Sequence, residues 1–402
     1  MSNAATVPDI PALPQRGERI HALDNLRAVA MLLGIVLHEA LSFITLPVPW
    51  IARDVSSSRA FDLMVAVIHG CRMQIFFFLA GFFAHLLWCR LGASGFLKQR
   101  WNRIGVPFLL GMVTLVPLVL ALWAWSERQA ELPPAMVQHG ELTLFSIPTS
   151  HLWFLEMLML FYAGAALVAW GGQKLNLAGW LPRLDALFDW FLAQPAKPLL
   201  LVPPTVLCLW NGPMLGEVDD AGLRLLPALR AVSYYGLFFT AGWWLHRRRH
   251  QLDALRRWLK TYFTFAALAL ATLAVCYLAQ IEHADARSPQ IKLLALTAAA
   301  LYAWLMTFAV TGWFLRFGGQ HRPWMRYLAE SSYWCYLAHL PLVAWLQVIT
   351  AKWPLPAVVK FPGILLVTMG LLLASYHWGV RETWIGRMLN GPRKRPFPST
   401  CP

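Results

Sequence analysis

The chain has 402 residues, 58% of them hydrophobic and only 13% charged, with a mean hydropathy of +0.50. Ordinary soluble domains carry about 25% charged residues, so these values exclude a soluble globular protein and indicate a polytopic membrane protein. A formal net charge of +14 would suit a nucleic-acid binder, but the basic residues are dispersed over the connections between apolar runs and no nucleic-acid fold signature accompanies them.

The first two dozen residues are polar and contain proline, without a short apolar core and small-residue cleavage site. No cleaved signal peptide is expected, and the first apolar run serves as the targeting signal. About 20 apolar residues cross a bilayer core. Ten runs are candidates: 25–46, 61–88, 104–125, 151–170, 198–212, 231–246, 258–279, 291–314, 329–350 and 358–380. The run 198–212 is short and interrupted by Pro203 and Pro204. The expectation is an all-α membrane domain over 23–385 with about ten transmembrane helices, flanked by disordered tails at 1–22 and 386–402. Alternate connections carry 16 basic residues, from Arg90 to Arg326, against 8 in the others. The positive-inside rule therefore puts both termini in the cytoplasm. The 21 Trp residues suit interfacial belts. The six cysteines show no CxxC spacing, so neither a metal nor a disulfide is indicated. No internal repeat and no glycine-rich phosphate loop occurs.

Ionisable residues inside apolar runs cost about 2.5–3.5 kcal/mol each on insertion scales and mark function by default. Arg27 and His38 lie eleven residues apart on the first run. Eleven helical steps return to within about 20° of the starting face with an axial separation of roughly 16 Å, so both side chains point the same way. On the assigned topology Glu156, near the outer start of its run, reaches a depth similar to that of His38. A carboxylate beside an imidazole would orient the ring as a general base requires; the plainer alternative is that each group is satisfied separately, His38 by a backbone carbonyl. Arg72 stands mid-run within Cys71-Arg72-Met73-Gln74, too deep to snorkel, and needs Glu156 or an anionic ligand as partner. Ala80-Gly81 reads as a site of close helix packing. Arg100 and Arg103, three apart, share a face if helical and can grip a phosphate together; ordinary topogenic charge is the other reading. Arg247-Arg248-Arg249 reads as topogenic charge alone.

Five segments in order resemble the integral-membrane acyltransferase-3 family, which O-acylates extracytoplasmic glycans. They are Leu23-Asp24-Asn25-Leu26-Arg27 with His38, Phe76-Phe77-Phe78 ending in Gly81, Arg100 and Arg103 before Pro107, His151-Leu152-Trp153-Phe154-Leu155-Glu156, and Ser332 through His339. Within that family, Cys71 through Phe77 and Arg103 through Pro107 look most like the glucan biosynthesis protein C group. Ala80 departs from the family pattern, which usually has Ser before the glycine.

The resemblance implies a succinyltransferase of the bacterial inner membrane acting on osmoregulated periplasmic glucans. Acyl-CoA, as succinyl-CoA, would be a cosubstrate, with no permanently bound cofactor and no metal. On that reading Arg27, Arg100 and Arg103 hold CoA phosphates, His38 is the base with Glu156 orienting it, and Arg72 takes the succinyl carboxylate. Asp24, Gln74, His151, Trp153 and His339 are further substrate or structural positions. Direct transfer and an acyl-His intermediate both remain open. A different class stays open too: a carrier or flippase for an anionic glycan or glycolipid, with the buried charges as pathway residues.

Overall fold

The computed structural model describes residues 21–128, 147–212, 222, 224–282, 288–320 and 322–391. Among the described residues every regular element is helical. In chain order they are α1 (His21–Ala40), α2 (Arg59–Arg100), a π-helical turn (Trp101–Gly105), α3 (Val106–Glu127), α4 (Trp153–Lys174), α5 (Leu181–Ala193), α6 (Lys197–Leu200), α7 (Val202–Leu209), α8 (Leu229–Arg247), α9 (Leu259–Glu282), α10 (Pro289–Phe317), α11 (Pro323–Thr350), α12 (Ala357–Ser375) and α13 (Trp384–Asn390).

Six helical stretches among the described residues are long and apolar enough to cross a membrane: His21–Phe43, Arg59–Glu127, Ser150–Lys174, Leu259–Ala279, Pro289–Phe317 and Ala357–Val380. The second holds 69 residues, or roughly 100 Å of helix at 1.5 Å per residue, far longer than one crossing. Gly92, at φ 66°, breaks it, a conformation that costs glycine little. The connection expected between 88 and 104 is therefore helical, and the π turn joins it directly to α3. The interrupted run 198–212 forms two short helices, α6 and α7, because Pro198, Pro203 and Pro204 remove amide donors. At the far end, Leu389 of α13 is 4% exposed, so packed structure continues beyond residue 385. Of the tails expected at 1–22 and 386–402, residues 1–20 and 392–402 lie outside the described residues.

Helices approach closely where glycine permits it. A methyl group at Gly81 would overlap the Phe239 carbonyl, and one at Gly242 would overlap the Phe78 carbonyl, so α2 and α8 touch backbone to backbone. The aromatic run fills the space beside this crossing. Phe77 is fully buried, with its ring centroid 4.6 Å from Tyr235 and 5.1 Å from Phe154. At the opposite side of α1, the connection after His38 is pinned. Lys360 Nζ donates to Asp54 Oδ1 at 2.6 Å, Ser42 Oγ to the Ala52 carbonyl at 2.8 Å, and Ser126 Oγ to the Ile51 carbonyl at 2.5 Å.

Candidate active site

One face of α1 packs against α2. Arg27 lies with Cζ 5.3 Å above the Phe83 ring. Gly34 leaves the space that the Arg72 guanidinium occupies, since a side chain there would overlap it. His38 and Arg72 then meet in the wall of a small cavity shared with Met31, Met73, Phe76, His151, Trp153, Phe154, Tyr336 and His339. His38, Arg72, His151, Trp153 and His339 thus converge although they come from four helices and a turn.

Pro341, inside α11, explains part of this arrangement. It has no amide hydrogen for the Leu337 carbonyl four residues earlier, and His151 Nε2 donates to that carbonyl instead, at 3.0 Å. One residue away, the Tyr336 carbonyl receives His339 Nδ1 at 2.6 Å. His339 Nε2 lies 3.0 Å from His38 Nδ1, and the two rings stack at a centroid separation of 5.1 Å. Trp50, from the connection after α1, packs on the other side of His38 at 5.5 Å. Its indole donates to Gln347 Oε1 at 2.9 Å, while Gln347 Nε2 caps the His38 and Glu39 carbonyls at 3.0 and 2.9 Å.

Glu156 is not the partner of His38. His339 occupies the hydrogen-bonding position at Nδ1, Glu156 is absent from the cavity wall, and its Oε2 has no hydrogen-bond partner. Equal depth was the basis for pairing them, and depth does not specify which face of α4 turns toward α1. Nor does Glu156 balance Arg72: among the described residues no ion pair joins Arg72 to a carboxylate. Arg72 Nε is buried with no partner. Gln74 faces the core rather than the cavity, donating to Tyr234 Oη at 2.8 Å. Glu39, adjacent to His38, is fully buried with both carboxyl oxygens unpartnered, but it does not line the cavity.

A second group of charges gathers at the other end of α1. Arg27 is 3.4 Å from Asp24, and it shares one electrostatic neighbourhood with Arg100 and Arg103. Arg100 Cζ sits 5.1 Å over Tyr162 and 5.8 Å over Phe96, and its Nε is unpartnered. Tyr333 Oη donates to the Arg103 carbonyl at 2.7 Å. The Arg103 guanidinium lies against Gly391, whose φ of +81° and lack of a side chain let the chain pass there. Arg100 immediately precedes the π turn and Arg103 lies within it, so the simple three-residue spacing on an α-helix does not describe them. Asp24 also lines a polar hollow with His21, Asn25, Gln320, Arg322 and Arg326.

Residues 20–377 match the family described as the acyltransferase domain of acyltransferase-3 type. The chain belongs to the acyltransferase-3 family. It is similar to proteins called glucans biosynthesis protein C from Escherichia coli K12, 33% identical over 147 residues, 36% of this chain and 38% of the relative. Proteins of that name from Salmonella paratyphi B and Salmonella heidelberg are each 33% identical over 143 residues, 35% of this chain and 37% of theirs. The alignment thus spans under two-fifths of these curated relatives, whereas the family match spans most of the chain. No solved structure matches it. Family membership and the six apolar helical stretches fit a multi-pass membrane protein, and His38 and Arg72 line one of its cavities. Sequence alone singled out both residues; it named His339 as a further candidate but missed its place beside His38, which depends on the packing of α11 against α1.

Proposed function

We propose that this acyltransferase moves a succinyl group from cytoplasmic succinyl-CoA to hydroxyl groups of a periplasmic glucan, in a bacterial inner membrane with about ten spans and both termini cytoplasmic. The observation that carries the reading is a guanidinium without a carboxylate partner, Arg72, in the same cavity as the His38 imidazole. A buried unpaired charge is expensive, and a donor whose acyl group ends in a carboxylate would balance it when bound. The name shared by the bacterial relatives supports a glucan as acceptor.

In this mechanism Arg27, Arg100 and Arg103 grip the phosphates of the donor, where charge-assisted hydrogen bonds to phosphate oxygens are strong. The pantetheine arm spans the roughly 16 Å of α1 between Arg27 and His38. Arg72 binds the distal succinyl carboxylate and so fixes the thioester carbonyl beside His38. His38 removes the proton from the glucan hydroxyl as its oxygen attacks the thioester carbon. The tetrahedral intermediate collapses with cleavage of the carbon–sulfur bond, and the proton held by His38 passes to the departing CoA sulfur. Products are the succinyl ester and free CoA, with no net proton released.

The test is transfer by purified protein in detergent, read as a succinyl mass increment on the glucan and as free CoA thiol. Wild type produces both, and His38→Ala lowers the rate at least about 10³-fold, within the range ascribed to general acid–base catalysis, while still binding CoA. A wild-type protein that neither hydrolyses nor transfers from succinyl-CoA overturns the reading and favours a carrier.

A further inference from the structure

We infer that His339 is a positioning residue: held by the Tyr336 carbonyl, it fixes His38 in the tautomer whose Nε2 lone pair serves the reaction. The inference rests on the acyl-transfer reading for its purpose, but its geometry stands apart from it.

A carbonyl oxygen can only accept, so the 2.6 Å contact between His339 Nδ1 and the Tyr336 carbonyl requires the hydrogen on Nδ1. A neutral imidazole carries one N–H. His339 Nε2 is then a lone pair, and it stands 3.0 Å from His38 Nδ1. Two lone pairs at that distance repel, so His38 Nδ1 carries a hydrogen and donates it. With Nδ1 protonated, neutral His38 has its lone pair on Nε2, and no protein group among the described residues hydrogen-bonds to that atom.

The opposite assignment requires a charged His339 donating to His38, which would leave His38 with a hydrogen on Nε2 and no use as a base. That charge would sit beside Arg72 and His151 in the wall of a small cavity with no carboxylate hydrogen-bonded to either histidine ring. Like charges held close without a counter-ion are unfavourable there. No other donor among the described residues, Arg72 included, hydrogen-bonds to either ring of the pair. His151 has its hydrogen committed to the Leu337 carbonyl, meets His339 edge-on at 5.4 Å, and leaves Nδ1 as an unpartnered acceptor. His38 is held from its other side by Trp50, whose indole N–H is committed to Gln347.

An imidazole in place of the usual carboxylate has a chemical consequence. It sets the tautomer and orientation of the base as a carboxylate does, without bringing a negative charge that would neutralise Arg72. The guanidinium stays available to an anionic acyl group.

The full-length protein, labelled with nitrogen-15 histidine in detergent, tests this directly. His38 is assigned by the signals lost in His38→Ala. The expected spectrum at neutral pH has a protonated Nδ1 and an unprotonated Nε2 for His38 in wild type. His339→Leu removes the acceptor: kcat falls by about 10²–10³-fold, as expected when a base is mispositioned, KM for succinyl-CoA stays the same, and His38 shifts toward the Nε2–H form. His339→Gln, which offers an amide oxygen near the position of Nε2, restores much of the rate.

An Nε2–H tautomer of His38 in wild type overturns the inference, as does a His339→Leu protein with wild-type kcat or a His339→Gln protein as slow as His339→Leu. The wild-type spectrum decides the matter even if His339→Leu fails to fold. Because that spectrum needs no turnover, absence of transfer from succinyl-CoA would strike the proposed function and leave the tautomer to be judged on its own.

Discussion

Two sets of arginines in this protein differ in one respect, and the difference separates structure from chemistry. Arg247 donates from Nε and Nη2 to the two carboxyl oxygens of Asp185, at 2.6 and 2.8 Å, and Arg248 pairs in the same bidentate manner with Asp189. These pairs clamp α5 to the end of α8. Arg72, Arg100 and Arg103 have no carboxylate partner among the described residues, yet parts of Arg72 and Arg100 are buried. All five arginines are partly buried, so burial does not separate the two sets; the presence or absence of a carboxylate partner does, and the unpaired set is the one assigned to the anionic donor in the proposed function. The run Arg247-Arg248-Arg249, expected to be topogenic charge alone, therefore contributes two internal ion pairs. Arg27, Arg72, Arg100 and Arg103, singled out in the sequence as anion-binding candidates, lie instead in the basic cluster and the cavity wall.

The largest effect expected on the paired side is at Asp54 and Lys360, whose side chains are 1% and 2% exposed. Asp54→Ala strands a buried ammonium and should lower the stability of the protein by about 3–5 kcal/mol. Chemical denaturation checks this, and a loss below 1 kcal/mol would remove the claimed distinction between paired and unpaired charges.

Arg72→Met should do the reverse, sparing stability and changing chemistry. No ion pair is broken, so the melting temperature stays the same or rises. Succinyl transfer should fall about 100-fold relative to acetyl transfer, equivalent to about 2.8 kcal/mol at about 1.4 kcal/mol per tenfold, because acetyl has no carboxylate for the guanidinium to hold. Competition between the two CoA thioesters measures the ratio directly. Equal losses with both donors, together with a lower melting temperature, would return Arg72 to a structural role.

The legibility of this site from sequence followed the reach of its interactions. Helical periodicity is local, so the shared face of Arg27 and His38 on α1 could be read from their spacing. The presence of apolar helices was equally plain. His38 and His339 are 301 residues apart, and their contact depends on how α11 lies against α1. Glu156 was expected beside His38 because the two match in depth, but rotation of α4 about its axis is set by packing of Phe154 and Phe161 against Phe77, which no single segment encodes. The π turn at Trp101–Gly105 likewise alters the rotation between Arg100 and Arg103, and nothing in its composition announces it.

For the basic cluster the expected effects are smaller and depend on salt. Arg100→Ala and Arg103→Ala should each weaken CoA binding by about tenfold, or about 1.4 kcal/mol. The difference from wild type should shrink as ionic strength rises, since phosphate contacts near water are screened over about 8 Å at physiological salt. Calorimetry at two salt concentrations tests both points. Unchanged affinity would make these residues topogenic charge after all.

The smallest effect belongs to the paired arginines, and it completes the comparison. Asp185→Asn should cost about 1 kcal/mol of stability, as a well-formed bidentate pair near the surface does, and leave donor affinity and transfer unchanged. Its pH dependence has a definite sign. Hydrogen bonds from Arg247 hold the Asp185 carboxyl below the ordinary carboxylate range, so the folded protein binds that proton less readily than the unfolded chain. The contribution is complete above the unfolded value of about 4 and is lost as pH falls through the lower folded value. Melting curves of wild type and Asp185→Asn should therefore stay separated by a constant interval from neutral pH down to about 5, then converge in stronger acid. A gap that widens on acidification would mean that the carboxyl is protonated in the folded state, and the ion pair could not then be what holds α5 against α8.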